Sequence, residues 1–513
     1  VFVTVCQVVV FGAFGWSGSH LDLVTSILVP LLFVVALATA VHVQMRFLAE
    51  RAAGGDAREA LRRTVRAKAW PVFWTGATTA LGFGSLAVAR LPAIRSLGLG
   101  SAFAFAFMTL AALTLLPVLL GLGAGRTPAR STGRHRRSDR RWGKRGAELA
   151  IRFRRWTFIA FGGVAALALG GTFRLGEEGG ILEYFRPQHP VRTQLRQLEA
   201  AGMDVVTAEL VLTAQGSFFE QEESLRRLRE LSRRLEALPR VSGAFGAGDL
   251  VAATAASLPG SPGLEASLEA IRAIPDIDQM LRYFLARQGS RTRITLRLPM
   301  EDSGVLEPIL AAAQAAAVES FPEPSVEVTG RYPLVLAARR SLSTTMVLSL
   351  GLTLLAVAGV FRWLLGSSAL TLRVLLPNLW PVAVVLGAMG WGGVALDPTT
   401  VIVAAAILGL AVDDTFHTLG SFRQGLASCD PPAAAVRSLD ELAGAHALSS
   451  LVLAAGFGAC AFSSFVPVGR FGALAVLGVA ASLAGDLWLV PALLSGLSRR
   501  ELSGLRRADD GGA

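Results

Sequence analysis

The chain has 513 residues, 52% hydrophobic and only 17% charged, with a mean hydropathy of +0.51 and a formal net charge of +11. That balance excludes an ordinary soluble enzyme and demands several membrane spans. The basic residues cluster beside apolar runs, as cytoplasmic loops do, so the charge points to a membrane and not to nucleic acid. Cys6, Cys429 and Cys460 have no CxxC spacing, and neither a disulfide framework, a metal site nor a cofactor is expected.

In chain order, Val1 to Phe14 reads as a first span. It starts without Met or a basic leader, as a chain cut within a span would. A second span, about Thr25 to Met45, closes a hairpin. Arg46 to Lys68 reads either as an amphipathic surface helix or as a solvated basic loop. Spans three and four run from Trp70 to Val88 and from Leu97 to Leu122, completing residues 1–122 as four spans of a first half. Residues 123–155 form a basic linker, with Arg134, Arg136, Arg137, Arg140, Arg141, Lys144 and Arg145, which assigns it to the cytoplasm.

Span five, residues 156–173, puts residues 174–342 on the far side of the membrane. There Val205–Thr213 alternates like a strand, Glu220–Leu238 reads as a helix and Arg240–Phe245 as a strand. Leu264–Arg287 reads as helix, Arg291–Leu298 as strand, Val305–Ser320 as helix and Ser325–Thr329 as strand. Two strand–helix–strand units predict a small α/β sandwich of ferredoxin-like type. Residues 343–497 hold five more spans, Thr344–Leu365, Leu372–Val394, Thr399–Leu419, Ala447–Phe465 and Phe471–Leu494, and 498–513 a cytoplasmic tail with Arg499, Arg500, Arg506 and Arg507. The expected fold is a polytopic α-helical membrane protein of about ten spans with one extracytoplasmic α/β domain.

An internal repeat underlies this plan. A shift of 375 carries Gly15-Trp16 onto Gly390-Trp391, Gly18 onto Gly393, Leu21-Asp22 onto Leu396-Asp397, and His42 onto His417. A shift of 374 carries Gly82-Phe83-Gly84 onto Gly456-Phe457-Gly458, Gly98 onto Gly472 and Pro117 onto Pro491. Matches at Gly, Pro, Trp and ionisable positions indicate duplicated halves. Corresponding spans are six apart, which makes the halves parallel. Trp156 to Leu375 is 220 residues, so a complete first copy would carry roughly that many more upstream: a span, a soluble domain and a span.

The chemistry concentrates in Leu408-Gly-Leu-Ala-Val-Asp413-Asp414-Thr-Phe-His417, inside the apolar run Thr399–Leu419. At 1.5 Å per residue such a run crosses the roughly 30 Å hydrocarbon core. Ionised groups there cost roughly 2.5–3.5 kcal/mol each and normally serve a wet path or a protein interior. His417 stands i+4 from Asp413 and i+3 from Asp414, within reach of both. Asp486 in the last span adds a third acid, and Asp413, Asp414, His417 and Asp486 form the expected proton relay. The alternative is a helix end with solvated acids or an Asp–Arg423 pair. His42 lacks acid neighbours and reads as a packed or capping histidine, because Asp413 and Asp414 map onto Ala38 and Thr39 and Asp486 onto Ala112. Gly82, Gly84, Gly456 and Gly458 read as close-packing positions or a hinge. Asp22 and Asp397 read as helix caps. No catalytic set stands out in the soluble domain, and no enzyme activity is expected.

Duplicated six-span halves with an α/β domain after the first span resemble the resistance-nodulation-division (RND) superfamily. Gly409-Leu-Ala-Val-Asp413-Asp414-Thr-Phe-His417, Gly456-Phe-Gly458 and Asp486-Leu-Trp-Leu-Val-Pro491 resemble its MMPL branch, which includes lipid and hopanoid exporters, and the central spans resemble the sterol-sensing domain. The resemblance implies proton-driven export of a lipid or other hydrophobic cargo from the bacterial inner membrane. It implies a periplasmic porter domain, and as partners the cargo, protons and either further copies or a periplasmic accessory protein. The other reading is a non-transporting, sterol-sensing-like lipid-binding or scaffold protein, which needs no titratable group in the bilayer. A metal-efflux pump is disfavoured because the seven Met residues form no relay.

Overall fold

The computed structural model describes residues 1–53, 56–123, 133–176, 184–258, 263–286, 288–299, 303–497 and 501, with backbone alone for 133–141, 303, 339 and 340. Arg499, Arg500, Arg506 and Arg507 of the expected tail lie outside the described residues. The chain opens with α1 (Phe2–Trp16), α2 (Leu28–Ala52), α3 (Ala57–Gly84) and α4 (Pro92–Gly123), followed by α5 (Gly133–Arg152) and α6 (Arg154–Thr172). Then come α7 (Pro190–Ala200), β1 (Val206–Thr213), α8 (Glu222–Glu236), β2 (Gly243–Gly246), α9 (Ala247–Ser257), α10 (Leu264–Ala273), α11 (Pro275–Phe284), β3 (Arg291–Leu298), α12 (Ser303–Ser320) and β4 (Ser325–Thr329). The closing helices are α13 (Arg331–Leu365), α14 (Ser368–Trp391), α15 (Pro398–Gly425), α16 (Pro431–Ala461), α17 (Val466–Ala484) and α18 (Val490–Leu494). Two compact units result, one of Val1–Glu177 with Ser341–Ala513 and one of Glu178–Arg340.

Among the described residues, seven helical segments are long and apolar enough to cross a membrane: Thr25–Ala52, Pro92–Gly123, Arg331–Leu365, Ser368–Trp391, Pro398–Gly425, Pro431–Ala461 and Val466–Leu494. The other three expected spans fall on helices below that mark. α1 has only 15 residues, α3 is basic in its first turns, and α6 opens on Arg154-Arg155 and carries Gly162, Gly163, Gly170 and Gly171. Arg46 to Lys68 is neither a separate surface helix nor a loop. α2 continues to Ala52 and α3 starts at Ala57, so the basic residues cover the ends of two long helices. Ion pairs Arg46–Glu50, Arg62–Glu59 and Arg63–Glu59 one turn apart support those ends.

The duplication is visible atom by atom. The Asp22 carboxylate accepts from the Val24 and Thr25 amides at 2.9 and 2.7 Å, and the Asp397 carboxylate accepts from Thr399 and Thr400 at 2.8 and 2.9 Å. Gly18 and Gly393 both turn the chain at positive φ, +68° and +63°. A Cβ on Gly98 would lie 2.8 Å from Leu86 Cβ, and one on Gly472 2.5 Å from the Phe457 carbonyl and 2.8 Å from Cys460 Cβ, the residue that Leu86 maps onto. Within each half, α3 packs on α4 and α16 on α17. Between halves, α2 packs on α16 and α15 on α3, contacts that exchange when the halves are swapped, as a two-fold relation requires.

Of the glycines expected at close packing, Gly456 is tight, its Cβ position 2.2 Å from Val34 Cγ2. Gly82, Gly84 and Gly458 are looser, at 3.3, 3.5 and 3.8 Å from their nearest neighbours. Among the described glycines the closest approach to backbone lies elsewhere, between α6 and α14, where a Cβ on Gly390 would fall 1.8 Å from the Gly171 carbonyl oxygen.

In the second unit the strand order is β2-β3-β1-β4, all antiparallel, with Val206 opposite Leu298 and Glu209 opposite Thr329. This is the ferredoxin-like order, with α8 and α12 as crossover helices. Alternate residues Ala208, Leu210 and Leu212 of β1 and Ile294, Leu296 and Leu298 of β3 enter a core with Leu228, Leu231 and Leu235 of α8. The expected helix over Leu264–Arg287 is two helices. Pro275 holds Ile274 extended (φ −105°, ψ 108°) and restarts the helix as α11. β2 begins at Gly243, not Arg240.

The α6–α14 contact predicts that Gly390→Ala costs about 1–3 kcal/mol by overpacking against backbone. Gly163→Ala, whose Cβ meets nothing within 4 Å, is neutral by comparison, both read by detergent-to-SDS unfolding of the full-length protein.

Candidate functional site

α15 is apolar on all sides and buried on nearly all of them, so it is a central helix and not a lipid-facing one. Its start is fixed by the Asp397 cap and Pro398, and it continues past the acids to Gly425. Any polar side chain on it must therefore find its partners in protein. α3 of the first half supplies some of them. The Thr75 hydroxyl donates to Asp413 Oδ1 at 3.0 Å, and Thr79 donates to the Gly409 carbonyl at 3.3 Å. The Gly409 Cα stands against the Thr79 backbone, where a Cβ would be 3.6 Å away.

His417 bridges two charged groups. Its Nε2 lies 3.4 Å from Asp413 Oδ1 and its Nδ1 3.3 Å from Lys68 Nζ. With the ammonium donating to Nδ1, the Nε2 proton faces Asp413. Asp414 does not share His417. One residue onward, about 100° round the helix, it turns to α16 and α2 instead. There His446 Nδ1 hydrogen-bonds Asp414 Oδ1, His446 Nε2 meets the Thr418 hydroxyl at 3.0 Å, and His42 Nε2 lies 3.6 Å from the same carboxylate oxygen. Below Asp414, Thr415 donates to Asn378 Oδ1 at 3.1 Å.

His42 is thus no isolated packing histidine. Its ring stacks on that of His417 with centroids 4.8 Å apart and planes at 21°. These are the two histidines the repeat relates, so the axis between the halves passes between their rings. His42, His417 and His446 are all buried, at 2%, 4% and 0% exposure.

Asp486 sits in a π-helical turn, Gly485–Leu489, between α17 and α18. It is buried and accepts from Ser482 at 3.3 Å, but among the described contacts it is not hydrogen-bonded to Asp413, Asp414 or His417. Such turns recur at functional sites.

Two cavities, about 410 and 370 Å³, reach the cluster from the end of the bundle lined by Arg46 and Glu441. Lys68 borders both. The first ends on His417, the second on His42. Arg46 of α2 and Glu441 of α16 pair at 2.6 Å between them.

Sequence reasoning brought Asp413, Asp414 and His417 to one site and missed Lys68, Thr75 and His446. His446 stands one residue and Lys68 two residues outside the spans that start at Ala447 and Trp70, so apolar runs alone leave them outside the membrane. A Lys or His flanked by alanines and aromatics at a span edge, as in Ala67-Lys68-Ala69-Trp70, is the signal that was available.

Residues 1–155 match the model of the MMPL family. That match spans less than a third of the chain. The matched segment contains α1–α4 with His42, Lys68 and Thr75. A membrane protein of Methanocaldococcus jannaschii is 32% identical over 109 residues, 21% of this chain and 28% of that relative. Across 96% of the chain the fold is similar to SecDF, a translocon-associated membrane protein from Thermus thermophilus, with a TM-score of 0.55 and 16% identity. The chain covers 57% of the SecDF chain. The sequence likeness to the MMPL family thus covers residues 1–155, and the likeness to SecDF is one of fold. Together with the apolar helices they support a multi-pass membrane protein.

Removing the imidazole of His446 leaves the Asp414 carboxylate buried without its nearest donor. His446→Ala is expected to destabilise the full-length protein by about 1–3 kcal/mol in SDS unfolding, with far less effect from truncating an exposed neighbour such as Leu448.

Proposed function

We propose that the chain is part of a proton-coupled secondary transporter that moves a lipid or other hydrophobic cargo out of the bacterial inner membrane. The observation that carries this reading is the meeting of the two halves at the membrane-buried acids, Asp413 with Thr75 and, through His417, with Lys68.

The Asp413 carboxylate accepts from the Thr75 hydroxyl, with the His417 imidazole 3.4 Å away. A proton added to Asp413 removes the charge that holds the His417–Lys68 chain, and the acid then competes as a donor where it had accepted. The attraction between α15 and α3 falls, and the packed halves shift to their other arrangement. Release of the proton on the opposite side restores the contact, so each cycle couples one proton path to one rocking step. Asp413 is the carrier, His417 the link to Lys68, Asp414 the acid held by His446, and Asp486 a relay position in the last span. Gly456, packed on Val34, is where α16 pivots on α2.

The cavities past Arg46 and Glu441 open on the basic side, which the positive-inside rule assigns to the cytoplasm. The ferredoxin-like unit then lies in the periplasm and handles the cargo. Lipid as cargo rests on the MMPL resemblance, and a greasy cargo is consistent with the many exposed apolar side chains on the bundle, among them Leu110, Leu355 and Leu451.

The test is lipid movement in proteoliposomes holding the full-length protein, driven by an imposed pH gradient. Asp413→Asn and Asp414→Asn should each lower gradient-driven transfer of labelled lipid by roughly 10-fold or more, in the range of general acid–base residues elsewhere. Asp22→Asn, at a surface cap, should not. Equal transfer by all variants would make the acids structural and favour the lipid-sensing or scaffold reading.

A further inference from the structure

His42, Asp414 and His446 present a second chemistry that a proton path does not require. One ligand atom from each lies within 4.8 Å of the others, and all three residues are buried. His42 is 2% exposed, and among the described residues neither of its ring nitrogens has a hydrogen-bond partner. A buried imidazole in that state costs about 1–3 kcal/mol relative to a satisfied one. Its Nε2 points at Asp414 Oδ1 from 3.6 Å, too far for a hydrogen bond and close enough for both atoms to hold one ion between them.

We propose that these three side chains bind one divalent transition-metal cation, zinc by donor type, and that the ion staples the first half of the bundle to the second. Two imidazoles and a carboxylate are the donor set of three-ligand zinc sites, which leave a fourth position for water. Hard cations such as magnesium and calcium prefer all-oxygen sets of six or more, which this pocket does not provide. The outer contacts fit as well. His446 uses Nε2 on the Thr418 hydroxyl, which fixes its ring and leaves Nδ1 facing Asp414, the arrangement that orients metal-binding histidines. Zn–N and Zn–O bonds of about 2.0–2.2 Å require the three atoms to draw closer around the ion. The 370 Å³ cavity ending on His42 supplies a route for entry.

The staple follows from where the ligands stand. His42 belongs to α2 of the first half, and Asp414 and His446 to α15 and α16 of the second. An ion held by all three ties α2 to α15 and α16 at the axis between the halves, where the His42 and His417 rings meet. This site does not depend on proton coupling, and its occupancy is measurable on resting protein.

The experiment titrates zinc, and cobalt as a spectroscopic stand-in, into full-length protein in nanodiscs stripped with EDTA. The expected result is one equivalent bound, tetrahedral visible bands for cobalt, and a thermal midpoint that rises with zinc. His42→Gln and His446→Gln should each weaken binding by roughly 10-fold or more and abolish the rise. Thr75→Val, which removes a hydroxyl bonded to Asp413 and to none of the three ligands, should leave binding intact. If His446→Gln does not fold, His42→Gln decides the matter alone, because it removes a side chain without hydrogen bonds. Absence of one-to-one binding, or binding unchanged in His42→Gln, overturns the proposal. Loss of transport in Asp413→Asn with normal zinc binding would uphold both readings, and normal transport with normal zinc binding would remove only the proton reading.

Discussion

A carboxylate inside a membrane bundle has no water to fall back on, and the arrangement of this protein follows from that constraint. Asp413 and Asp414 are neighbours on a helix buried nearly all round, so each must be satisfied by a different surrounding helix. Asp413 takes α3, through Thr75 and through His417 and Lys68. Asp414 takes α16, through the hydrogen bond from His446, with His42 of α2 standing 3.6 Å away. Since α3 belongs to one half and α15 to the other, satisfying Asp413 is the same act as joining the halves. Unmaking either set exposes a charge to low dielectric, which is why such a site can couple ion occupancy to a movement of the bundle.

The duplication sets the frame and the asymmetry supplies the chemistry. Capping boxes at Asp22 and Asp397, left-handed turns at Gly18 and Gly393 and tight approaches at Gly98 and Gly472 hold the halves to one architecture. Within it the first half has Ala38 and Thr39 where the second has Asp413 and Asp414, and it contributes Lys68 and Thr75 as partners instead. One half carries the acids and the other answers them. Only the histidine at the axis is present in both, and the two rings stack on each other.

Much of the fold was legible because its signals are local or periodic. Apolar runs marked the long spans, strand alternation gave β1, β3 and β4, and glycines and prolines at constant spacing gave the repeat. Legibility failed where a contact joins residues far apart in sequence. His42 reads as partnerless in the sequence because its acid is 372 positions away, in Asp414, and Lys68 reads as a surface residue because its acceptor is 349 positions away, in His417. Span limits drawn from hydropathy also stop where the first polar residue appears, yet α3 and α16 continue as helix beyond it and carry Lys68 and His446 inside. The break at Pro275 is the reverse case, a local rule that the amphipathic pattern of the surrounding residues concealed.

The measurement that reaches the centre of this account is a double-mutant cycle across the halves, Thr75→Val with Asp413→Asn, on the unfolding free energy of the full-length protein in mixed micelles. Residues in one hydrogen-bonded network show coupling of about 0.5–3 kcal/mol, and independent ones add within about 0.3–0.5 kcal/mol. Coupling in the first range is the expected result and would establish that the first half holds the acids of the second. Additive effects would mean that α3 and α15 do not meet through Asp413, and the joint between the halves would have to lie elsewhere.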